Sequence, residues 1–277
     1  MITLGIFAKT FERDAVGEAL AAAQSFGFKA IQFNMSCVGL SPMPDEIPPA
    51  LLQQTRMSMD SLGLEMAGLS ATFNMCHPDK KMRLDGLQRM EVLAQSCLTL
   101  NNSLLTLCTG TRDPNDKWKY HPDNSSPQAW LDMCRTMEKA IVLAEQYQLF
   151  LGIEPELANV VSNTAKAQQL LSEMATDRIR IILDPANLFE QESAQEVRYR
   201  IAEAVDVLGP FISMAHAKDR SSDGQFVAPG KGVIPFDYFL AQLNEADLHV
   251  PLVAHGFSET EAPLVAHFLK NVEQINY

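Results

Sequence analysis

The sequence lacks the features that mark several classes of protein. Its five cysteines form no C-x-x-C pair, and this odd, scattered set predicts reduced, buried thiols in a cytoplasmic setting. No apolar run is long enough to cross a bilayer, and the first residues do not resemble a signal peptide. We therefore expect a cytoplasmic protein with no membrane partner.

Positive charge is also scarce. The 277 residues include 22 Lys and Arg against 34 Asp and Glu, which gives a net charge of -12. Proteins that bind a nucleic-acid backbone usually present a basic face, so this balance predicts no nucleic-acid partner. No stretch has the composition of a linker, and the length suits one domain over residues 1–277.

What the sequence does contain is a regular alternation of two kinds of segment. Short apolar runs predict strands, and an amphipathic segment that predicts a helix follows each of them. The predicted strands are 3–8, 30–33, 64–70, 104–108, 150–154, 179–183, 211–215 and 250–254. Eight strand–helix units predict the α/β class and a single (β/α)8 TIM barrel. A doubly wound sheet is disfavoured, because no G-x-G-x-x-G follows the first strand.

The fifth predicted strand ends in a carboxylate. Residues 149–156 read L-F-L-G-I-E-P-E, and such a short apolar run suits a strand buried on both faces. Pro155 cannot donate a backbone hydrogen bond, so regular pairing should stop there. Glu154 is therefore predicted at the carboxyl end of a strand, where α/β folds build their sites. A carboxylate that simply faces water is the alternative.

The same arrangement recurs at the next three strands. Strands five to eight are closed by Glu154, Asp184, His216 and His255. In a barrel these ends converge on one face, and two carboxylates with two imidazoles predict a divalent-metal site. Each residue also has a structural alternative. Asp184 would cap a helix that starts at Pro185, His216 would be a core histidine, and His255 would sit on a turn.

Further polar residues follow the strand ends and are candidates for substrate binding. They are Lys9, Asn74, His77, Arg112, Asn187, Lys218 and Glu259. One connection, residues 109–125, is long and holds Trp118 and Tyr120, which predicts a lid or a binding loop. A solvated loop pinned by Trp118 is the alternative. The G-K-G segment at 230–232 offers backbone donors to an anion or a hydroxyl.

Six short stretches carry a family resemblance. They read G-I-E-P-E at 152–156, I-L-D-P-A-N-L at 182–188, H-A-K-D at 216–219, P-G-K-G at 229–232, H-G-F-S-E at 255–259 and L-C-T-G-T-R-D at 107–113. With these stretches in this order, the chain resembles the xylose isomerase-like barrel superfamily. Within it, the chain is similar to proteins described as sugar phosphate isomerase/epimerase. The resemblance covers essentially the whole chain.

The resemblance implies one divalent ion at the carboxyl face, with Glu154, Asp184 and His216 as ligands. It implies isomerisation or epimerisation of a ketose or aldose through an enediolate. In such chemistry the metal polarises the carbonyl while a base removes the neighbouring proton. The implied partner is a small-molecule sugar or sugar phosphate. Barrels of this kind often associate, which leaves a homo-oligomer open.

One residue departs from the family pattern. Many epimerases of this superfamily carry a second glutamate at the end of strand eight, where this sequence has His255. Two histidines with two carboxylates favour zinc or manganese, with magnesium as a third choice. We predict that Glu154, His255 and Lys218 act in catalysis. Glu156 and Glu259 are the alternatives for the second proton-transfer group.

Two other functions stay open from the sequence alone. A non-catalytic, sugar-binding barrel fits the replacement of the second glutamate. A metal-dependent hydrolase related to barrel endonucleases that cut at abasic sites would also share the superfamily. Those endonucleases cluster several metals with many histidines, and this chain has six histidines and a net charge of -12.

Overall fold

A computed structural model describes residues 2–276 of the chain, with side chains to residue 274. Eight parallel strands form a closed barrel in the order β1-β10-β7-β6-β5-β4-β3-β2. The barrel strands are β1 (Thr3–Phe7), β2 (Ala30–Phe33), β3 (Glu65–Ser70), β4 (Leu104–Leu107), β5 (Phe150–Ile153), β6 (Ile179–Leu183), β7 (Ile212–Ala217) and β10 (Pro251–Ala254). The predicted (β/α)8 barrel is confirmed. The seventh strand runs two residues past its predicted end, so His216 lies within it.

A helix connects or follows each barrel strand. The helices are α1 (Val16–Ser25), α2 (Pro49–Leu62), α3 (Lys80–Leu100), α4 (Pro127–Gln146), α5 (Thr164–Met174), α6 (Ala194–Leu208), α7 (Phe236–Glu245) and α8 (Ala262–Asn276). The last helix starts three residues later than predicted, because a short 3-10 turn with a capping box between Ser258 and Glu261 precedes it. Among residues 2–276, no helix has the length and apolar character needed to cross a membrane.

The barrel closes between its first and last strands. Thr3 pairs with Pro251 and Ile6 with Ala254, in parallel register. On its other side β1 pairs with β2, and the two backbones come very close at Gly5. A side chain there would place its Cβ 2.8 Å from the carbonyl oxygen of Ala30. Glycine therefore permits the close strand contact.

Two apolar clusters fill the interior. The larger one joins the barrel strands to the helices and includes Ile181 and Leu183 of β6. Ile182, between them in sequence, belongs to a separate cluster with residues of four other strands: Phe7, Leu104, Met214 and Val253. Because successive side chains of a strand point to opposite faces, this second cluster lies inside the barrel.

A small two-stranded hairpin follows β7 and was not predicted. It pairs β8 (Asp219–Arg220) with β9 (Phe226–Val227) in antiparallel register. The hairpin carries Arg220 and Phe226 to the edge of the cavity described next.

Candidate metal centre and active site

An open cavity of about 580 Å³ is lined by residues at and beyond the carboxyl ends of the strands. Beside it, the side chains of Glu154, Asp184, His216 and His255 come together, with one ligand atom from each lying within 4.8 Å of all the others. They come from the ends of β5, β6, β7 and β10. The structure therefore brings together the four residues that the sequence predicted as one cluster.

Asp184 lies at the centre of this cluster. Its Oδ2 is 3.1 Å from His255 Nε2 and 3.2 Å from Lys218 Nζ. Its Oδ1 accepts a hydrogen bond of 3.0 Å from the backbone N–H of Ala186, so the residue also caps the short 3-10 helix Pro185–Asn187. The two interpretations of Asp184, cluster member and helix cap, are both correct because each uses a different oxygen. Burial would raise the pKa of Asp184, but the adjacent Lys218 and His255 hold it well below its usual range.

His216 presents one ring nitrogen to the cluster and the other to the barrel wall. Its Nδ1 is 3.3 Å from Glu154 Oε1, and its Nε2 is 2.8 Å from Gln32 Oε1. The amide of Gln32 in turn donates to Thr106 Oγ1 at 3.2 Å. Such a contact to the outer nitrogen fixes the ring and selects which nitrogen is free to bind a metal.

The ionisation states of the cluster suit a cation. Burial lowers the pKa of His255 to about 4, which keeps the imidazole neutral near pH 7. Burial would raise the pKa of Glu154, but the neighbouring His216 outweighs it and holds the pKa below its ordinary value. Two carboxylates and neutral imidazole are the donors that zinc and manganese accept, so these residues fit a divalent ion.

Asn187 connects Glu154 to Lys218. Its Nδ2 donates to Glu154 Oε1 at 2.8 Å, and its Oδ1 accepts from Lys218 Nζ at the same distance. All three side chains line the cavity. Lys9, another predicted substrate-binding residue, lines it as well.

Four predicted substrate-binding residues do not line the cavity. Asn74 donates to the backbone carbonyls of Thr111 and Asp113, at 2.9 and 3.3 Å, and so holds the long loop in place. His77 is half-buried, and its Nε2 lies 3.0 Å from the carbonyl oxygen of Pro114. Both side chains are used to fix the loop.

Arg112 and Glu259 are the other two. Arg112 forms an ion pair of 3.0 Å with Asp132 of α4, which anchors the loop to the outer helices. Glu259 is bound by Arg13 through both carboxylate oxygens. Sequence spacing placed these residues near strand ends, but their charges are satisfied elsewhere.

The long loop does contribute to the cavity, through residues other than Arg112. Lys117, Trp118 and Tyr120 line its wall, as does Phe226 from the hairpin. Lys117 and Phe226 were not singled out from the sequence, and neither was Gln32. A glutamine in the otherwise apolar strand A-I-Q-F was a signal that could have identified Gln32.

The G-K-G segment binds an anion that belongs to the protein itself. The backbone N–H groups of Gly230 and Gly232 donate to Asp219 Oδ2 at 3.0 and 2.9 Å. Those of Arg220 and Ile234 donate to Oδ1 at 2.8 and 3.1 Å. The predicted backbone donors exist, but the buried carboxylate of Asp219, in the preceding hairpin, accepts their hydrogen bonds.

A family model, that of the xylose isomerase-like TIM barrel, matches residues 20–272. The chain belongs to this family. Among curated proteins no sequence match is found.

Solved structures resemble this xylose isomerase-like barrel over its whole length. A 3-keto-D-glucoside 4-epimerase from E. coli has a TM-score of 0.78 at 14% identity, covering 99% of this chain and 100% of its own. A D-tagatose 3-epimerase-like protein has a TM-score of 0.79 at 14% identity, with 99% and 98% covered. A D-allulose 3-epimerase from Methylomonas sp. has a TM-score of 0.74 at 17% identity, with 98% of each chain covered. At these identities the likeness establishes the fold.

Proposed function

We propose that this xylose isomerase-like barrel is a divalent-metal-dependent isomerase or epimerase of a sugar or a sugar derivative. The observation that carries the proposal is the cluster of Glu154, Asp184, His216 and His255 beside an open cavity. The three similar structures named above are sugar epimerases or are described as epimerase-like, which supports the same class of reaction.

The four cluster residues would hold one ion. Zinc or manganese is preferred over magnesium, because two imidazoles make a softer donor set than oxygen ligands alone. When bound, the ion would polarise a substrate carbonyl and make the adjacent C–H more acidic. His255, which the sequence also suggested for catalysis, contacts Asp184 and is assigned here to the metal.

Glu154 and Lys218 are the proposed proton-transfer pair. An epimerase must remove a proton from one face of a carbon and return one to the other, which needs a base and an acid. Glu154 is the carboxylate, Lys218 is the ammonium, and Asn187 holds both at 2.8 Å. Glu259 is excluded from this role by its pairing with Arg13, whereas Glu156 lines the cavity and remains the alternative acid.

Metal content gives the first test. Elemental analysis should find a near-stoichiometric divalent ion in the wild-type protein and none in Asp184→Asn. Asp177→Asn is the matched control, because Asp177 is an exposed aspartate just before the same strand. The control should retain the ion. Equal metal content in all three proteins would reject the cluster as the binding site.

Hydrogen exchange at carbon gives the second test. A panel of ketoses and aldoses in D2O should include one sugar that gains deuterium next to its carbonyl. Lys218→Met should abolish the return of a proton to the opposite face while keeping the metal. Glu154→Gln should abolish exchange altogether. A protein that holds the ion and exchanges no member of the panel would contradict the enzymatic proposal.

A further inference from the structure

The cavity brings together several positive charges of this acidic chain. Its lining includes four cationic side chains, Lys9, Lys117, Lys218 and Arg220, whereas the whole protein has a net charge of -12. Lys218 is already engaged with Asp184 and Asn187. The guanidinium of Arg220 donates to the backbone carbonyls of Ala186 and Gly224. Two cations remain for a ligand.

Lys9 and Lys117 are those two. Lys9 follows β1, and its Nζ lies 4.5 Å from the centre of the Phe7 ring. Lys117 belongs to the long loop, with Nζ 5.6 Å from the centre of the Trp118 ring. Among the side chains of residues 2–274, no carboxylate pairs with either ammonium group. Burial lowers the pKa of Lys9, and the charge of Lys117 acts in the same direction, so the two ammonium groups repel one another.

The charge balance changes when the metal is considered. The four cations are matched by four acidic side chains in or beside the cavity: Glu154, Glu156, Asp184 and Glu190. A divalent ion in the cluster would leave an excess of two positive charges. An excess of this kind inside a cavity attracts a ligand of opposite charge. The excess would not be spread evenly, because Glu154 and Asp184 would be among the residues that hold the ion.

We propose that the substrate carries an anionic group, a phosphate or a carboxylate, and that Lys9 and Lys117 bind it. This inference rests on the function proposed above, since it places the sugar carbonyl at the metal cluster and the anion at the two lysines. A cavity of about 580 Å³ has room for both parts. The rings of Phe7 and Trp118 beside the ammonium groups provide an apolar surface for the sugar between them.

Matched pairs of probes test the inference with the metal-loaded protein. Isothermal titration would compare D-fructose with D-fructose 6-phosphate, and D-galactose with D-galacturonate. We expect the anionic member of at least one pair to bind ten-fold or more tightly than its neutral partner. The preference should weaken as salt is added, because it is electrostatic. Preference for the phosphate alone identifies a sugar phosphate, and preference for the uronate identifies a sugar acid.

Substitutions assign the preference to residues. Lys9→Met and Lys117→Met should each remove most of the anion preference, with metal content and thermal midpoint unchanged. Lys231→Met is the control, because Lys231 lies at the same end of the barrel, pairs with Glu261 and does not line the cavity. The inference is overturned if both anionic probes bind no better than the neutral sugars, or if both variants keep the preference. Absence of the ion itself would instead count against the proposed function.

Discussion

Two buried aspartates lie in consecutive loops of the same barrel, and their carboxylates have different kinds of partner. Asp184 and Asp219 are 1% and 0% exposed. Asp184 contacts the charged or titratable side chains of Lys218 and His255. Asp219 accepts four hydrogen bonds, all from backbone N–H groups of its own hairpin and the following loop.

The difference separates a carboxylate that can react from one that holds the chain. Side-chain partners can move aside when a cation arrives, whereas backbone donors are fixed by the loop that carries them. The two sets of partners also have different effects on the ionisation of the two carboxyl groups. Burial acts to raise the pKa of both aspartates. Lys218 and His255 reverse this at Asp184, while the four N–H groups do not fully offset it at Asp219.

Removal of the carboxylate of Asp219 should have the largest effect on stability. Asp219→Ala leaves four buried N–H groups without their acceptor, and we expect a loss of about 3–5 kcal/mol in the free energy of unfolding. Urea denaturation of the metal-free protein measures it. Asp223→Ala removes an exposed carboxylate from the same hairpin and should cost less than about 0.5 kcal/mol. Similar losses of stability in the two variants would contradict a structural role for the Asp219 carboxylate.

A methyl group next to Asp219 should have the next largest effect. A Cβ at position 232 would overlap Asp219 Oδ1 and the carbonyl oxygen of Arg220. We expect Gly232→Ala to cost about 3 kcal/mol, at the upper end of the range for overpacking. At Gly209 the nearest atom to an added Cβ is 3.9 Å away, so Gly209→Ala should be close to neutral. Thermal midpoints of the two variants provide the comparison.

His255, the partner of Asp184, should make the stability of the protein depend on pH. His255 has a pKa of about 4 in the folded chain, against an ordinary value of 6.5 for an exposed histidine. Between these values the unfolded chain binds more protons, so stability falls as the pH is lowered. We expect the metal-free protein to lose about 2 kcal/mol by pH 5. His255→Gln should flatten this slope, and Gly209→Ala, which removes no titratable group, should keep it. An unchanged slope in His255→Gln would assign the effect to other groups.

Removal of the Gln32 side chain, which contacts His216 Nε2, should have the smallest of the four effects, a loss of metal affinity. Gln32→Leu takes away the partner of Nε2 and should weaken metal binding about ten-fold, as measured by competition with a chelator. Gln32→Glu restores an acceptor and should bind as well as the wild type or better. Thr106→Val removes only the hydroxyl beyond Gln32 and should have a smaller effect. If Gln32→Leu bound the metal as tightly as the wild type, Gln32 would have no role in positioning His216.

Much of the fold and the cluster was predictable from the sequence, for a physical reason. Parallel strands buried on both faces appear as short apolar runs, and the residue that ends each run lies on one face of the barrel. Glu154, Asp184 and His255 were identified by this rule. His216 was identified although β7 continues past it, because its position relative to the other strand ends is unchanged.

Residues in the loops could not be placed in this way. Arg112 and Lys117 lie five residues apart in one loop, and both are cations. The structure ties Arg112 to Asp132 and leaves Lys117 in the cavity wall. The difference depends on Asp132, a residue of α4 whose orientation no local pattern reveals. Gln32 was not predicted for another reason, because it lies within β2 and not after the end of the strand.

Closure of the barrel also sets a timetable for biosynthesis. The first strand made, β1, has to wait for the last, β10, before its second edge is paired. His255 lies 71 positions after Asp184 in the sequence, which corresponds to about 4–14 seconds of translation. During that interval the nascent chain contains both carboxylates of the cluster without its final imidazole. A polypeptide terminated before His255 would therefore lack the complete site.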